Sequence, residues 1–197
     1  MTRAIVLAAG ASTRMGRPKA LLQARGRTFI RTILDVLREA GLPDATVVVR
    51  PAQDELIAEV DASGFGRTVV NPRADEGQLS SLIAGLDAID EPGVDAVLVT
   101  LVDVPLVAAP AIRQLLARAA ISTAPILRAV HHGAHGHPVL FKRETFAALR
   151  SANPAEGAKA VVRAARVEDV ETGDPGVLED VDTPEDYERL VGKMTGR

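Results

Sequence analysis

Apolar and polar positions along the chain follow two different periods. Short apolar runs rich in β-branched residues predict strands buried on both faces of a sheet. They lie at residues 3–9, 44–50, 68–70 and 94–101. The segments between them predict helices, most clearly where apolar residues recur three and four positions apart. These helices are expected at residues 28–40, 53–60, 79–89 and 110–120. The alternation predicts an α/β fold with an open, mostly parallel sheet and right-handed crossovers.

The last third of the chain follows another pattern. Residues 125–130 and 137–141 predict an antiparallel hairpin whose tight turn spans residues 131–136. Helices at 143–150 and 156–165 and a strand near 167–170 follow. Thr183-Pro184-Glu185 begins a last helix that runs to about Lys193, because it offers a capping threonine, a proline at the first helical position and an acid in the first turn. No break in composition marks a second domain, so we predict one domain over residues 1–197.

Composition narrows the function classes. The 197 residues include no cysteine, which excludes disulfides, thiolate metal sites and a cysteine nucleophile and suits a reducing compartment. The net charge of −3, with acids and bases interspersed, gives neither a basic footprint for nucleic acid nor a polybasic patch for a membrane. No apolar run approaches the roughly 20 residues that span a bilayer, and no signal peptide is expected. We therefore expect a cytoplasmic protein with no nucleic-acid or membrane partner.

The loop after the first predicted strand reads LAAGASTRMGRPK from Leu7 to Lys19. Ligands of such sheets bind beyond the carboxyl ends of the strands. Five residues separate Gly10 from Gly16, and an Arg-Pro pair precedes Lys19, so this is neither the dinucleotide fingerprint nor a Walker A loop. Its glycines let backbone N–H groups approach phosphate oxygens, and Arg14 and Lys19 are placed to stabilise a departing pyrophosphate. The alternative is a solvated surface loop with two ordinary basic residues.

Nucleotide contacts are expected from this loop and from the start of the helix at 79–89. Small alanines at the strand end leave space for a flat base. The hydroxyls of Ser80 and Ser81, in the segment GQLSSL, either contact the base or ribose or cap the helix. The predicted nucleotide-binding residues are Leu7, Ala8, Ala9, Gly10, Ser12, Arg14, Gly16, Lys19, Ser80 and Ser81.

The loop resembles the signature L-A-A-G-x-S-x-R-M-G-x-x-K-x-L-L of the MobA-like nucleotidyltransferases, which Leu21-Leu22 completes. Within that family it is most similar to the molybdenum cofactor cytidylyltransferases. The resemblance implies a Rossmann-like, GT-A-type three-layer sandwich with a mixed, mostly parallel sheet. It also implies Mg²⁺-dependent transfer of a nucleoside monophosphate from a nucleoside triphosphate to the phosphate of molybdopterin, with release of pyrophosphate. A molybdenum hydroxylase apoenzyme is a further partner that the resemblance implies.

Two departures from the guanylyltransferase relatives favour CTP over GTP. Ala9 stands where those relatives tend to carry a second glycine, which makes the loop slightly narrower. Arg17-Pro18 replaces their usual aspartate before the lysine.

Two acidic positions are candidate Mg²⁺ ligands. Asp103 follows the strand at 94–101, and a carboxylate at a strand end facing a phosphate loop suits Mg²⁺. The alternative is an aspartate in a turn before Pro105. The family pattern here is usually Asp-Gln-Pro, and Val104 replaces the glutamine. The resemblance of residues 180–186 to the family run D-x-D-T-P-E-D implies Asp182 as a second ligand, although the helix macrodipole alone favours acids at a helix start.

All the histidines fall within residues 131–137. A zinc site is one interpretation, but a tight hairpin scatters its side chains and no acidic or thiol residue lies beside them in sequence. Gly136-His137-Pro138 instead resembles the family's G-H-P segment on the acceptor side, which implies that His137 and Pro138 contact the acceptor.

Other functions remain open at this point. A guanylyltransferase for molybdopterin, or a nucleotidyltransferase for a sugar or alditol phosphate, shares the phosphate loop. An oxidoreductase that reuses the fold exists among MobA-like paralogues. A non-catalytic partner or chaperone of a molybdenum hydroxylase belongs to another class, and the joint presence of Arg14, Lys19 and Asp103 argues against it.

Overall fold

The computed structural model describes residues 1–195, with side chains for residues 1–13 and 15–192. Its strands are β1 (Thr2–Leu7), β2 (Gln23–Ala24), β3 (Arg27–Thr28), β4 (Ala45–Val49), β5 (Gly66–Val70), β6 (Ala96–Leu101), β7 (Ile126–His131), β8 (Ala134–Lys142) and β9 (Val167–Glu171). Its α-helices are α1 (Phe29–Glu39), α2 (Asp54–Asp61), α3 (Gln78–Ile89), α4 (Ala109–Ile121), α5 (Phe146–Arg150), α6 (Ala158–Ala164) and α7 (Pro184–Thr195). Among the described residues, no helix combines the length and apolar character needed to cross a membrane.

The main sheet confirms the predicted mixed, mostly parallel α/β architecture. Its strand order is β5-β4-β1-β6-β8-β7-β9. β1 pairs in parallel with β4 on one side and with β6 on the other, and within the described sheet β8 alone runs against its neighbours. Because the strand order reverses at β1, a crevice opens at the carboxyl ends of β1 and β6, where ligands of such sheets bind.

Alternate residues of β1 point into two separate cores, as expected for a strand covered on both faces. Ala4 and Val6 pack with α1, α2 and α4, whereas Ile5 and Leu7 pack with α3, α5 and α6. The result is the three-layer sandwich that the resemblance implies.

Both predicted helix caps are present. The N–H of Arg31 donates to the Thr28 hydroxyl at 3.2 Å at the start of α1. At the start of α7, the N–H of Asp186 donates to the Thr183 hydroxyl at 3.2 Å, and the Asp186 carboxylate accepts from the N–H of Thr183 at 2.9 Å. The bonds that the N–H and the hydroxyl of Thr183 donate to this carboxylate lower the pKa of Asp186 to about 2.

The predicted turn at residues 131–136 is wrong in extent. β7 continues to His131 and β8 begins at Ala134, so only His132 and Gly133 turn the chain. Both have positive φ, 49° and 76°, as a two-residue type I′ hairpin turn requires. The sequence analysis also missed the β2–β3 hairpin, because two-residue strands are too short to show a period.

The chain after β9 returns to the crevice through a tightly packed segment. The 3₁₀-helix Pro175–Leu178 lies against β8 so closely that a methyl group added to Gly136 would sit 2.1 Å from the carbonyl oxygen of Val177. The N–H of Val181 donates to the carbonyl oxygen of Asp103 at 2.8 Å. This packing brings residues 179–183 beside the end of β6.

Gly136→Ala should therefore destabilise the protein by about 3 kcal/mol, since backbone atoms would have to move to admit the methyl group. Gly192→Ala is the matched control, because Gly192 is an exposed position of α7 with open space at its Cβ. It should be neutral or stabilising by about 0.5–1 kcal/mol. Urea denaturation measures both changes, and equal stability of the two variants would contradict the close approach.

Candidate active site

A cleft of about 320 Å³ lies at the carboxyl ends of β1 and β6. The loop after β1 and the start of α3 form two of its walls, and the segments after β6 and before α7 complete it. The predicted site residues that line it are Leu7, Ala8, Ala9, Gly10, Ser12, Lys19, Ser81, Asp103 and Asp182. Residues far apart in sequence thus meet at the crevice that the strand order creates.

Other predicted site residues lie elsewhere. Gly16 and Ser80 are not among the residues that line the cleft. His137 lines a second, adjoining cavity, and Pro138 is buried beside it in β8. The side chain of Arg14 lies outside the part of the chain that the structure describes.

The loop after β1 is held in shape by its own backbone and by Ser12. Ser12 adopts a left-handed conformation with φ of 50° and precedes the 3₁₀-helix Thr13–Met15, and Gly16 ends that helix with φ of 66°. The Ser12 hydroxyl accepts from the N–H of Lys19 at 3.1 Å. This bond closes the loop and directs Lys19 into the cleft.

Lys19 lies between two carboxylates. Its Nζ forms an ion pair with Oδ1 of Asp182 and is 3.7 Å from Oδ2 of Asp103. The Lys19 side chain is 13% exposed and that of Asp103 is 25% exposed, so the charges interact in a partly desolvated setting. A compact group of one ammonium and two carboxylates is suited to hold phosphate oxygens and a divalent cation.

The pKa of the Asp103 carboxyl group is raised above its usual value. Burial raises its pKa, the Lys19 ammonium opposes that rise, and the negative charge of Asp182 adds to it. Its Oδ1 atom is buried and has no hydrogen-bond partner among the described side chains and backbone groups. A buried carboxylate oxygen without a partner is costly unless a ligand satisfies it.

Within the described residues, no group of three His, Cys, Asp or Glu side chains is arranged to hold a metal. A cation at this cleft would therefore take Asp103 and Asp182 as its protein ligands and draw the remaining oxygens from phosphate and water. This division of ligands is typical of Mg²⁺, which keeps several waters and binds through one or two carboxylates plus substrate phosphates.

Ser80 and Ser81 fix the start of α3. The side-chain amide of Asn71 donates to both hydroxyls, at 2.9 Å and 3.0 Å. The Ser80 hydroxyl also lies 2.8 Å from the carbonyl oxygen of Gly77. Ser81 additionally lines the cleft. Sequence reasoning missed Asn71, although its position before a proline at the end of β5 was visible.

The second cavity, of about 420 Å³, adjoins the cleft and shares Leu7, Gln78 and Leu101 with it. Val99 of β6 pairs with Val139 of β8. Because the two strands are antiparallel, the start of β8, which includes His137, lies beside the carboxyl end of β6. Burial lowers the pKa of His137 and so favours the neutral imidazole, whose Nδ1 is buried with no hydrogen-bond partner within the described part of the chain.

Two of the remaining histidines have acidic neighbours, contrary to the sequence-based expectation. His131 Nδ1 is 3.7 Å from Glu171 Oε1, and His135 Nε2 is 3.3 Å from Asp169 Oδ2. Both acids belong to β9, which pairs with β7 only in the folded sheet. These are pairs at the edge of the sheet, not a set of three converging ligands among the described residues.

Sequence comparisons relate the chain to known proteins. Residues 4–170 match the MobA-like NTP transferase domain. The chain is 30% identical to nicotine blue oxidoreductase of Paenarthrobacter nicotinovorans, over 95% of both chains. It is 28% identical to purine catabolism protein PucB of Bacillus subtilis, over 97% of this chain and 96% of that protein. It is also 36% identical to a probable molybdenum cofactor guanylyltransferase of Opitutus terrae, over 52% of this chain and 48% of the relative.

Solved structures share the whole architecture. The crystal structure of Rv0371c from Mycobacterium tuberculosis H37Rv superposes with a TM-score of 0.82 at 29% identity, covering 96% of this chain and 97% of that one. A structure of the same mycobacterial protein in complex with manganese has a TM-score of 0.77 at 28% identity, with the same coverage of the two chains.

Proposed function

The chain belongs to the MobA-like NTP transferase family, and on that premise we propose that it transfers the CMP part of CTP to the phosphate of a molybdopterin-type acceptor. The observation that carries the proposal is the meeting of Lys19 with Asp103 and Asp182 at the strand reversal of the sheet. The proposal assigns the reaction to one nucleotidyltransferase domain over residues 1–197. It places the reaction in the cytoplasm, with a molybdenum hydroxylase apoenzyme as the recipient of the product.

The proposed reaction is an in-line displacement at phosphorus. An oxygen of the acceptor phosphate forms a bond to the α-phosphorus of the nucleotide, and the bond from that phosphorus to the bridging oxygen breaks. The electron pair leaves with pyrophosphate. A phosphate monoester is largely dianionic at neutral pH because its second pKa is about 6, so no protein base has to remove a proton. Catalysis then consists of positioning and charge stabilisation.

Residues of the cleft fit these tasks. Lys19 stabilises the negative charge that develops on pyrophosphate, and Arg14 is proposed for the same role from its place in the loop. The backbone between Gly10 and Gly16 approaches the phosphates, with Ser12 holding that loop in shape. Leu7, Ala8 and Ala9 line the base side, and Ser81 faces the ribose from the start of α3. Ser80 supports Ser81 through their shared contact with Asn71.

Asp103 and Asp182 fit a bound Mg²⁺. The buried Oδ1 of Asp103, which no described residue hydrogen-bonds, and the neighbouring carboxylate of Asp182 are hard oxygen donors of the kind this cation prefers. When bound, Mg²⁺ would neutralise charge on the α-phosphate and on departing pyrophosphate. His137, with Pro138 behind it, lies where an acceptor phosphate would enter from the second cavity.

CTP should bind more tightly than the purine nucleotides GTP and ATP. Ala9 is 5% exposed and lines the cleft, so its methyl group narrows the space for a purine. Competition of the four nucleotides against a fluorescent CTP analogue measures the preference, which we expect to be about ten-fold, the discrimination available to a small difference in pocket size.

Ala9→Gly supplies the internal control for this preference. Removing the methyl group should reduce the ratio of CTP to GTP affinity while leaving pyrophosphate chemistry intact. If the wild-type protein binds GTP more tightly than CTP, the assignment of CTP is refuted. The family membership would be unaffected.

The activity itself is tested by incorporation of labelled CMP into molybdopterin with matching release of pyrophosphate. If CMP is transferred to a sugar or alditol phosphate instead, the proposed acceptor is wrong but the proposed reaction type stands.

The relative named nicotine blue oxidoreductase makes hydride transfer the specific second candidate. Oxidation of a nicotinamide cofactor without pyrophosphate release would favour that candidate, and inactivity in both assays would favour a non-catalytic partner of a molybdenum hydroxylase.

A further inference from the structure

A third cluster of apolar residues lies apart from the two cores that cover the main sheet. Its buried members are Leu22, Ala24, Phe29, Val181 and Leu190, and Met15, Leu106, Tyr187 and Val191 are partly buried against them. Most of these residues belong either to the chain between β1 and α1 or to the segment that ends in α7. The third cluster therefore joins the two parts of the chain that supply Lys19 and Asp182 to the cleft.

The backbone runs from Lys19 into the third cluster through two hydrogen bonds. The N–H of Leu22 donates to the carbonyl oxygen of Lys19 at 3.0 Å, and the N–H of Phe29 donates to the carbonyl oxygen of Leu22 at 2.8 Å. Leu22 and Phe29 are fully buried. The position of Lys19 thus depends on how firmly these two apolar residues are held.

Tyr187 of α7 ties the third cluster to the loop after β1. Its hydroxyl donates to the carbonyl oxygen of Gln23 at 2.7 Å. The centre of its ring lies 6.1 Å from that of Phe29, and the guanidinium carbon of Arg17 lies 5.9 Å from the same centre. Tilted aromatic pairs and cations over an aromatic ring attract each other at these separations. One side chain of the last helix therefore contacts the chain on both sides of Lys19.

We propose that Tyr187 is a positioning residue for the triphosphate, because it holds the loop after β1 in its binding shape before the nucleotide arrives. Tyr187 does not line the cleft, so it acts through the loop and not by touching the nucleotide. A loop that is already ordered loses less conformational freedom on binding, which tightens binding. The inference rests on the proposed function, since it takes a triphosphate as the ligand of this loop.

Binding of inorganic tripolyphosphate with Mg²⁺, measured by isothermal titration calorimetry, tests this role without a base or a ribose. Tyr187→Phe loses only the hydrogen bond to Gln23, and it should raise the dissociation constant about three-fold. Tyr187→Leu also loses the ring contacts, and it should raise the dissociation constant about ten-fold. Hydrogen exchange of the amides of residues 10–22 in the ligand-free protein should be faster in Tyr187→Leu than in the wild type.

Phe146→Leu is the matched control for the loss of a ring. Phe146 is a buried residue of α5 with the guanidinium carbon of Arg143 5.9 Å from its ring centre, and it does not line the cleft. Its replacement should lower the melting temperature, because it leaves a cavity in the core. It should leave the binding of tripolyphosphate unchanged.

Steady-state kinetics of CMP transfer separate positioning from a purely structural role. Tyr187→Leu should raise the KM for the nucleotide about ten-fold and keep kcat within about two-fold of the wild type, because it weakens binding and leaves the charged groups of the cleft in place. A purely structural role would lower the folded fraction, and with it kcat, at an unchanged KM. Tyr187→Phe should restore most of the lost affinity relative to Tyr187→Leu.

Three results would overturn the inference. They are equal tripolyphosphate binding by the wild type and Tyr187→Leu, equal weakening by Tyr187→Leu and Phe146→Leu, and no tripolyphosphate binding by the wild type. If Tyr187→Leu does not fold, Tyr187→Phe decides, and unchanged binding by that variant overturns the inference.

The fate of the proposed function is read separately. If CMP transfer is observed and the Tyr187 variants bind tripolyphosphate as the wild type does, the proposed function stands and the positioning role fails. If the variants weaken binding as expected but no transfer to any acceptor is observed, the positioning role stands and the proposed function fails.

Discussion

We expect Asp103→Asn to abolish nucleotide transfer and to leave the protein at least as stable as the wild type. The substitution keeps the shape of the side chain but replaces the anionic carboxylate, whose buried Oδ1 fits Mg²⁺, with a neutral amide. We expect turnover to fall by about 10³-fold, comparable to losing a preorganised charge-stabilising group at the reacting centre.

The expected stability of Asp103→Asn follows from the direction of the pKa shift of Asp103. Burial raises the pKa of Asp103 in the folded state, so the folded protein binds a proton here more tightly than the unfolded chain does. The ionised carboxylate therefore costs stability progressively as the pH rises from the unfolded pKa of about 3.9 through the raised folded value. At neutral pH asparagine does not carry that cost.

Thermal unfolding and pyrophosphate release, measured on the same preparation, separate the two effects. Asp180→Asn is the matched control because Asp180 is exposed, lies two residues before Asp182 and does not line the cleft. Its turnover should stay within about two-fold of the wild type, as for most surface substitutions. Near-normal activity of Asp103→Asn would show that Asp103 is not a required Mg²⁺ ligand.

Lys19→Gln should change two quantities in opposite directions. Turnover should fall by about 10²–10³-fold, because the departing pyrophosphate loses a fixed positive charge. The affinity of the nucleotide-free protein for Mn²⁺ should rise. Lys19 is ion-paired with Asp182 and lies near Asp103, so in the free protein its ammonium competes with a cation for the same carboxylates.

Mn²⁺ titration followed by electron paramagnetic resonance measures the second change. Arg17→Gln is the control, because it removes one positive charge from the same loop at an exposed position that does not line the cleft. It should leave Mn²⁺ affinity unchanged. A Lys19 variant that binds Mn²⁺ more weakly than the wild type would contradict the competition.

The local features of the fold were predictable from sequence. The alternation of buried runs and amphipathic segments predicted the parallel strands β1, β4, β5 and β6, and Thr28 and Thr183 marked the helix starts where they cap α1 and α7. These signals depend on residues a few positions apart, so the chain carries them whatever the tertiary packing.

Features that depend on distant residues were not predictable in the same way. Nothing local joins Lys19 to Asp182, which lies 163 residues away in the chain, or brings β9 acids to the histidines of the hairpin. Ser80 and Ser81 were visible as hydroxyls at a helix start, but their attachment to Asn71 depends on how β5 meets α3. The second cavity likewise needs α3, α6, β6 and β8 together.

The bond from Val181 to the carbonyl oxygen of Asp103 has a consequence for synthesis of the protein. The amino-terminal parallel strands and the phosphate loop emerge from the ribosome first, yet Asp182 arrives only with the final segment. A nascent chain can therefore form most of its sheet while its reaction centre still lacks one carboxylate. On the proposed function, a chain terminated before Asp182 would keep the loop after β1 but lack one of the two carboxylates that fit Mg²⁺, even if it folded.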